Sequence, residues 1–292
     1  MRGMLKVRLA PIYWAWLKRK REWQERLDLS WLEWRNRFAR SRVTGHAEAV
    51  VSMTTWGERI DRVHLTIESI ARGRTRPARF TLWLDDERRF NDLPTSLRRL
   101  QRRGLELRLC ENFGPHTKYY PHVESGQDEH LPLVTADDDV IYPPRWLKDL
   151  VQAQLGSPET IFCHRARTLL LDEDRIAPYI EWPYCETTVA SRRNFLTGVS
   201  GVIYPAAFLR VLRANGRAFL NCCRKADDIW LNVWALRAGY PVRQLRAEAM
   251  DFPSIPDSDR QGLFRANQLS GGNDEQMRQT YSVADLRQLI QR

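Results

Sequence analysis

Residues 131–144 read LPLVTADDDVIYPP, a short apolar run that ends in three consecutive aspartates. Leu133, Val134, Ile141 and Tyr142 suit a buried strand, which places Asp137, Asp138 and Asp139 at its carboxyl end. In an open α/β sheet that end is where ligands bind. Three adjacent carboxylates repel one another, and holding them beside a buried strand costs free energy unless a cation or hydrogen-bond donors compensate. On its own the triplet admits two readings, a divalent-metal site or an Asp-rich turn capping the helix that begins at Pro144.

Upstream of the triplet, strands and helices alternate. Residues 49–53 read as a strand, 62–71 as a helix, 80–84 as a strand ending in Asp85 and Asp86, and 96–103 as a helix. Residues 105–110 make a third strand and 131–136 a fourth. The alternation predicts an α/β fold, a mostly parallel sheet with helices on both faces, in one domain over residues 45–292. The first strand leaves through Thr54, Thr55, Trp56, Gly57, Glu58 and Arg59, whose aromatic ring, hydroxyls and guanidinium suit a base, a ribose and a phosphate. Ordinary packing is the competing account of Trp56. After the third strand, residues 112–123, NFGPHTKYYPHV, turn at Gly114 and Pro115 and present His116, Lys118 and Tyr119 as a polar set. Lys118 is a candidate phosphate contact, and a solvated loop lysine is the plainer reading.

Downstream, Pro144 opens a helix running to about residue 155, and residues 160–163 read as a strand. Residues 194–204, NFLTGVSGVIY, join a turn containing Gly198 and Gly201 to a β-branched strand. These glycines permit close approach of the backbone to a ligand, but match neither a P-loop nor a dinucleotide fingerprint. Residues 226–239, ADDIWLNVWALRAG, read as a helix with Asp227 and Asp228 in its first turn. The helix dipole favours acids there, and a carboxylate on that edge of the sheet could equally deprotonate an acceptor hydroxyl. The loop over residues 251–273 is long enough to cover a site, and Ser282 with Asp285 has the spacing of a capping box for a last helix, 283–291.

The chain has 292 residues, enough to bury a substantial core, and its 43% hydrophobic content is that of an ordinary soluble protein. Its five cysteines lack CxxC spacing and read as reduced cytosolic thiols. The net charge of +10 is unevenly placed: residues 1–42 hold twelve Lys and Arg against four acids, a net of +8, leaving +2 for the rest. Nucleic-acid binding by the body is therefore not expected. Residues 1–44 form a separate, Trp-rich extension with five of the eleven tryptophans, Trp14, Trp16, Trp23, Trp31 and Trp34. On a helix over residues 12–38, Trp16, Trp23, Leu27, Trp34 and Phe38 share one face while Arg26 and Arg37 lie elsewhere. Such a helix suits either an anionic membrane surface or packing on the body or a second subunit. The apolar stretch 9–17 is too short to span a bilayer, and the KRKR of residues 18–21 follows it with no small-residue cleavage site, so neither a transmembrane helix nor a signal peptide is expected.

Seven segments together resemble the GT-A class of nucleotide-sugar glycosyltransferases, especially small bacterial enzymes of capsule, lipopolysaccharide or exopolysaccharide synthesis. They are VVSMTTWGERI (50–60), TLWLDDE (81–87), GPHTKYYP (114–121), TADDDVIYP (135–143), TGVSGVIYP (197–205), DDIWLNVWALRAG (227–239) and GGNDEQ (271–276). The resemblance covers residues 49–276, and the order and spacing of the segments are more specific than any one of them. It implies a GT-A (Rossmann-like) fold and transfer of a sugar from a nucleotide-sugar donor to a glycan or lipid-linked acceptor, with inversion, at the cytoplasmic face of the membrane. It implies Mn2+ or Mg2+ on the donor diphosphate, held by the acidic DXD motif, with Asp139 on the metal, Asp137 on the metal and toward the ribose, and Asp138 helping either. Thr54, Trp56, Arg59, Asp85 and Lys118 would contact the donor, and Gly198, Ser200 and Gly201 the acceptor. Asp228 would be the base, with Asp227 in reserve. The chemistry is coherent, because a divalent cation neutralises charge developing on a nucleoside-diphosphate leaving group. The chain departs from the family pattern in having no histidine after His164, so Asp251, Asn273, Asp274 or water would complete the metal shell. A metal-dependent phosphohydrolase or nucleotidyltransferase using the triplet is the alternative.

Overall fold

The structure, a computed structural model, describes residues 2–256 and 272–290. A long helix, α1 (Arg2–Phe38), leads into β1 (Ala47–Thr54), α2 (Val63–Ala71), β2 (Pro77–Leu84), α3 (Glu87–Asn91), α4 (Thr95–Arg102) and β3 (Leu105–Leu109). Then follow α5 (Tyr120–Ser125), β4 (Leu133–Thr135), α6 (Trp146–Gly156), β5 (Ile161–Cys163), β6 (Ala166–Thr168), β7 (Leu171–Asp172) and β8 (Arg175–Ile176). The last elements are β9 (Asn194–Leu196), β10 (Val202–Tyr204), α7 (Ala206–Ala214), α8 (Asp227–Arg237), β11 (Val242–Gln244), α9 (Gly272–Thr280) and α10 (Val283–Ile290).

Seven strands form one sheet in the order β11-β5-β10-β4-β1-β2-β3. Every neighbouring pair is parallel except those of β10, which runs antiparallel to β4 and β5. The mostly parallel α/β sheet expected from the sequence is thus present. Successive side chains on a strand point to opposite faces, and both faces are covered here. Val50, Leu133, Ile161 and Val202 join one core with Phe113, Phe208 and Trp230, whereas Val51, Val134, Phe162 and Ile203 join the other with Ile67, Leu97 and Leu147. Burial on both sides explains why the central strands read as unbroken apolar runs rather than alternating ones.

The path of the chain creates a crevice. From β1 it adds β2 and β3 on one side, then crosses back to lay β4 on the other side of β1. Strand order reverses between β1 and β4, and a ligand crevice forms outside the carboxyl ends at such a point. Thr54 and Thr55 leave one lip and Asp137 to Asp139 the other. Because β10 is antiparallel and pairs Val202 with Thr135, the residues that enter it, 198–201, lie on this same edge.

One expectation changes. Residues 194–204 are two strands in different sheets, with β9 paired to β6 in a side ribbon and β10 in the main sheet. Of the long loop expected over 251–273, residues 257–271 lie outside the described residues. The capping box is present: Ser282 Oγ and its N–H both donate to Asp285 Oδ2 at 2.7 Å, and the Asp285 N–H returns a bond of 3.3 Å to Ser282 Oγ.

The end of α1 is part of the body, so packing crosses the expected division at residue 44. Leu32 is fully buried in a cluster with Leu65, Ile141 and Ile255. Asn36 donates to the Ser96 carbonyl at 3.2 Å and accepts from Arg99 Nε at 2.9 Å. Both contact the layer formed by α2 and α4. The buried carboxylate of Glu68 is enclosed by both terminal nitrogens of Arg103, by Arg35 Nε at 3.3 Å and by Asn36 Nδ2 at 3.5 Å. The tryptophan face is not what packs: Trp23 and Trp34 remain 63% and 57% exposed. No helix of the described residues is long and apolar enough to cross a membrane.

Candidate active site

Residues 114–118 form a single tight helical turn after β3, and His116 inside it is fully buried. Burial pushes its pKa down to about 4 against the opposing charge of Asp227, so the ring is neutral. A carbonyl can only accept, so Nε2 carries the proton toward the Cys223 oxygen at 2.8 Å, and Nδ1 accepts from the Tyr119 hydroxyl at 3.0 Å. The ring also stacks on Phe219 at 4.1 Å. These contacts tie the turn to the segment that enters α8, and they set Lys118 against the first turn of that helix.

Lys118 is the centre of the site. Its Nζ donates to Asp137 Oδ1 at 2.7 Å and lies 3.5 Å from Asp227 Oδ2. Burial opposes its charge, but the carboxylates of Asp137, Asp227 and Asp228 outweigh that and hold its pKa well above the ordinary lysine value. The two acidic groups noted in the sequence are therefore brought together on one ammonium. The plainer reading, a solvated loop lysine, does not hold.

The three adjacent aspartates have different surroundings. Asp138 is buried, accepting from Thr55 Oγ1 at 2.6 Å and Arg59 at 2.8 Å, while its backbone carbonyl takes the Thr66 hydroxyl at 2.9 Å. Burial raises its pKa against the pull of Arg59 and Thr55. A carboxylate so enclosed braces the β1 and β4 lips against each other, where the sequence reading placed it on the donor. Asp137 and Asp139 keep side-chain exposures of 20% and 17% at the crevice. The Asp137 N–H donates to the Tyr142 hydroxyl at 2.9 Å, and Asp139 pairs with Arg59 at 3.0 Å. Arg59 thus bridges two carboxylates from the side of β1, where the sequence reading placed it near a phosphate.

Across the crevice, Asp228 accepts the Gly198 N–H at 2.8 Å on Oδ1 and is half-buried. Burial and the neighbouring Asp227 raise its pKa, and Lys118 with the Gly198 N–H only partly offset them. Asp227 is buried, and its Oδ2 accepts no hydrogen bond. Asn232, one turn on, clamps the helix in place: its side chain takes the Leu196 N–H and returns a bond to the Leu196 carbonyl, each at 2.9 Å, and also holds the Asp228 carbonyl at 2.7 Å. Sequence reasoning missed it, although one amide among the apolar residues of IWLNVWAL was a signal.

Other expected residues divide. A side chain at Gly198 would meet Asp228 Oδ1 at 3.0 Å and Lys118 Nζ at 3.3 Å, so close approach is needed there. Gly201 is different, because the group it admits is Trp146 of the protein rather than a ligand; an added Cβ would lie 2.5 Å from the indole nitrogen. That nitrogen donates to the Ser200 carbonyl at 2.8 Å, and the fully buried Ser200 hydroxyl is spent on the Met250 carbonyl at 2.7 Å. Ser200 and Gly201 therefore shape the turn, where the sequence reading placed them on the acceptor. Gly201→Ala, at φ +98°, is expected to lose about 1–3 kcal/mol of stability, checked by chemical denaturation. The Thr54 hydroxyl bonds the Trp83 carbonyl at 3.2 Å. Trp56 stands 45% exposed at the mouth, and Asp85, raised by burial, sits at the end of β2 beside Asn112.

Mn2+ and Mg2+ take carboxylate oxygens, and Mg2+ commonly uses one or two of them plus substrate phosphates rather than an all-protein cage. Asp137 and Asp139 match that donor set. Among the described residues no three His, Cys, Asp or Glu side chains gather as a ready metal centre. Of the residues expected to complete one, Asp251 pairs with Arg165 at 3.3 Å and Asp274 accepts the Tyr179 N–H at 2.8 Å.

No family model matches the chain, and no curated protein matches it. Among solved structures, the chain is similar to a CMP-2-keto-3-deoxy-manno-octonic acid synthetase complexed with CTP, at 12% identity and a TM-score of 0.43, over 76% of this chain and 98% of that one. It is also similar to the mannosyltransferase PcManGT from Pyrobaculum calidifontis in complex with GDP-Man and Mn2+, at 14% identity and a TM-score of 0.49, over 90% of this chain and 75% of that one.

Proposed function

We propose that the chain is a GT-A-like glycosyltransferase that binds a nucleoside-diphosphate sugar in the crevice between β1 and β4 and passes the sugar to a hydroxyl of a glycan or lipid-linked acceptor. One observation carries this reading: at the strand-order reversal, the acidic lip after β4 and the acidic first turn of α8 face each other across one half-buried ammonium, Lys118. The arrangement supplies a cation for the diphosphate on one side and a carboxylate for the acceptor on the other. Asp137 and Asp139 would hold Mn2+ or Mg2+, which when bound neutralises charge on the leaving diphosphate. Trp56 offers an exposed ring at the mouth for the base. Lys118, which is held charged, passes from Asp137 toward a phosphate oxygen.

In the transfer step the acceptor oxygen attacks the anomeric carbon as the bond from that carbon to the diphosphate breaks, and Asp228 takes the acceptor's proton. A single displacement with one base inverts the anomeric centre. The setting is bacterial surface polysaccharide synthesis, at the inner face of the cytoplasmic membrane where a lipid-linked acceptor lies.

A base raised by burial and by Asp227 ionises only above the ordinary carboxylate range, so kcat/KM is expected to rise with pH through a limb well above pH 4. Asp227→Asn removes the like charge and should move that limb to lower pH. An unmoved limb in the pH profile of this variant would take Asp228 out of the role. The function itself is tested by a screen of nucleotide sugars for slow donor hydrolysis, which needs no acceptor. Release of a nucleoside diphosphate from one of them, in a metal-dependent way, is the expected result. Turnover of simple phosphate esters, or condensation of a nucleoside triphosphate with a sugar acid, would instead establish a phosphohydrolase or nucleotidyltransferase.

A further inference from the structure

The helix α1 has two opposed apolar sides. One is packed: Leu29 and Leu32 lie against Leu65, Ile141 and Ile255, and Asn36 is buried beside α4. At about 100° per residue, Trp23, Leu27, Trp31, Trp34 and Phe38 fall on the other side. They are 63%, 49%, 42%, 57% and 62% exposed. Tyr13 and Trp16 continue the stripe, at 56% and 55%. An exposed apolar stripe of this extent marks an interaction surface. Charge is sorted around the same helix. Arg19, Arg26 and Arg37 are exposed and line one flank of the stripe, whereas Asp28 and Glu33 are turned to the body, 3.7 Å from Arg72 and 3.1 Å from His64.

We infer that this outward face docks on an anionic lipid bilayer, with the aromatic stripe at the boundary of headgroups and acyl chains and the arginines on lipid phosphates. The charge identifies the occupant. A second copy of the chain would bring two segments of net +8 together, which repel, whereas an anionic surface attracts both. The tryptophans, amphipathic and large, suit the interfacial layer. The docked helix also sets how far the crevice lies from the lipid. Ile141 and Ile255, which Leu29 and Leu32 cover, flank the acidic lip, and the Ile255 N–H donates to the Asp139 carbonyl at 2.6 Å. The acidic lip therefore lies against the inner side of the docking helix, one helix diameter, roughly 10 Å, from the stripe. Docking depends on the helix alone and not on the chemistry of the crevice.

The test is sedimentation of the full chain with vesicles of phosphatidylcholine, alone or with about 25% phosphatidylglycerol. Wild-type protein is expected to bind the anionic vesicles at least tenfold more tightly. The triple variant Trp23→Ser, Trp34→Ser, Phe38→Ser should lose at least tenfold on them, with an unchanged thermal midpoint showing that the body is intact. The variant Arg19→Glu, Arg26→Glu, Arg37→Glu should lose about a hundredfold, since each arginine near the surface contributes roughly fivefold. Equal binding to both vesicle types overturns the inference, as does undiminished binding by the aromatic variant. A wild-type oligomer that the aromatic variant dissolves, with vesicle binding unchanged, overturns it in favour of self-association. Donor hydrolysis without vesicles reads the crevice separately, so either proposal can fail while the other stands.

Discussion

Asp228→Asn is expected to lower transfer by roughly 10²–10⁴-fold, the usual contribution of a positioned base, with donor affinity unchanged. The substitution is nearly isosteric. The amide oxygen of Asn can still accept the Gly198 N–H now held at 2.8 Å, and the Asn232 clamp on the backbone carbonyl of residue 228 is untouched. Lys118 keeps its closest carboxylate, Asp137, at 2.7 Å, so the donor side of the crevice is preserved. What disappears is the ability to take a proton. Initial rates of transfer measured beside a calorimetric donor Kd separate the two. Turnover near wild type would move the base elsewhere, and Asp227 would be the next residue to examine.

The second large effect concerns the fold. Glu68→Ala should lower the free energy of unfolding by about 3–5 kcal/mol, because it removes one partner of a buried ion pair and strands the other. Glu68 is fully buried, and Arg103, the guanidinium left behind, is only 6% exposed. Arg35 and Asn36 lose the same acceptor, so the last turns of α1 should loosen as well. Urea denaturation gives the number directly. A loss under about 1 kcal/mol, the range of an exposed pair, would mean that the cluster is solvated and not structural. Truncations aimed at the helix must respect it, since removing residues 1–42 also removes Leu32, Arg35 and Asn36. A deletion ending before Leu29 spares them.

The sheet was legible because its central strands, buried on both faces, are apolar runs punctuated by helices, and the acidic triplet had to fall at a carboxyl end. Its crevice followed from that. The direction of β10 was not legible, since the three residues VIY carry no mark of which way they run. Nor were the separate fates of the three aspartates. Side-chain direction alternates along extended backbone, and whether Asp138 turns inward depends on Thr55 and Arg59, 83 and 79 residues away. Lys118 looked like a solvated loop residue because its partners come from distant parts of the chain, Asp137 from the loop after β4 and Asp227 from the first turn of α8. Gly201 shows the same gap. Its freedom was visible, but the neighbour that requires it, Trp146, comes from a different element. Local pattern reports the element, and tertiary contact decides what each side chain is for.

The central claim is that the crevice between β1 and β4 holds the diphosphate of a sugar donor. Calorimetric titration of UDP, GDP and CDP, each with and without Mn2+, against the wild-type chain and Asp139→Ala tests it most directly. One nucleoside diphosphate should bind the wild type with Mn2+ and lose most of that affinity with EDTA or in the variant. Absence of binding by all three, or metal-dependent binding that Asp139→Ala leaves intact, would contradict it.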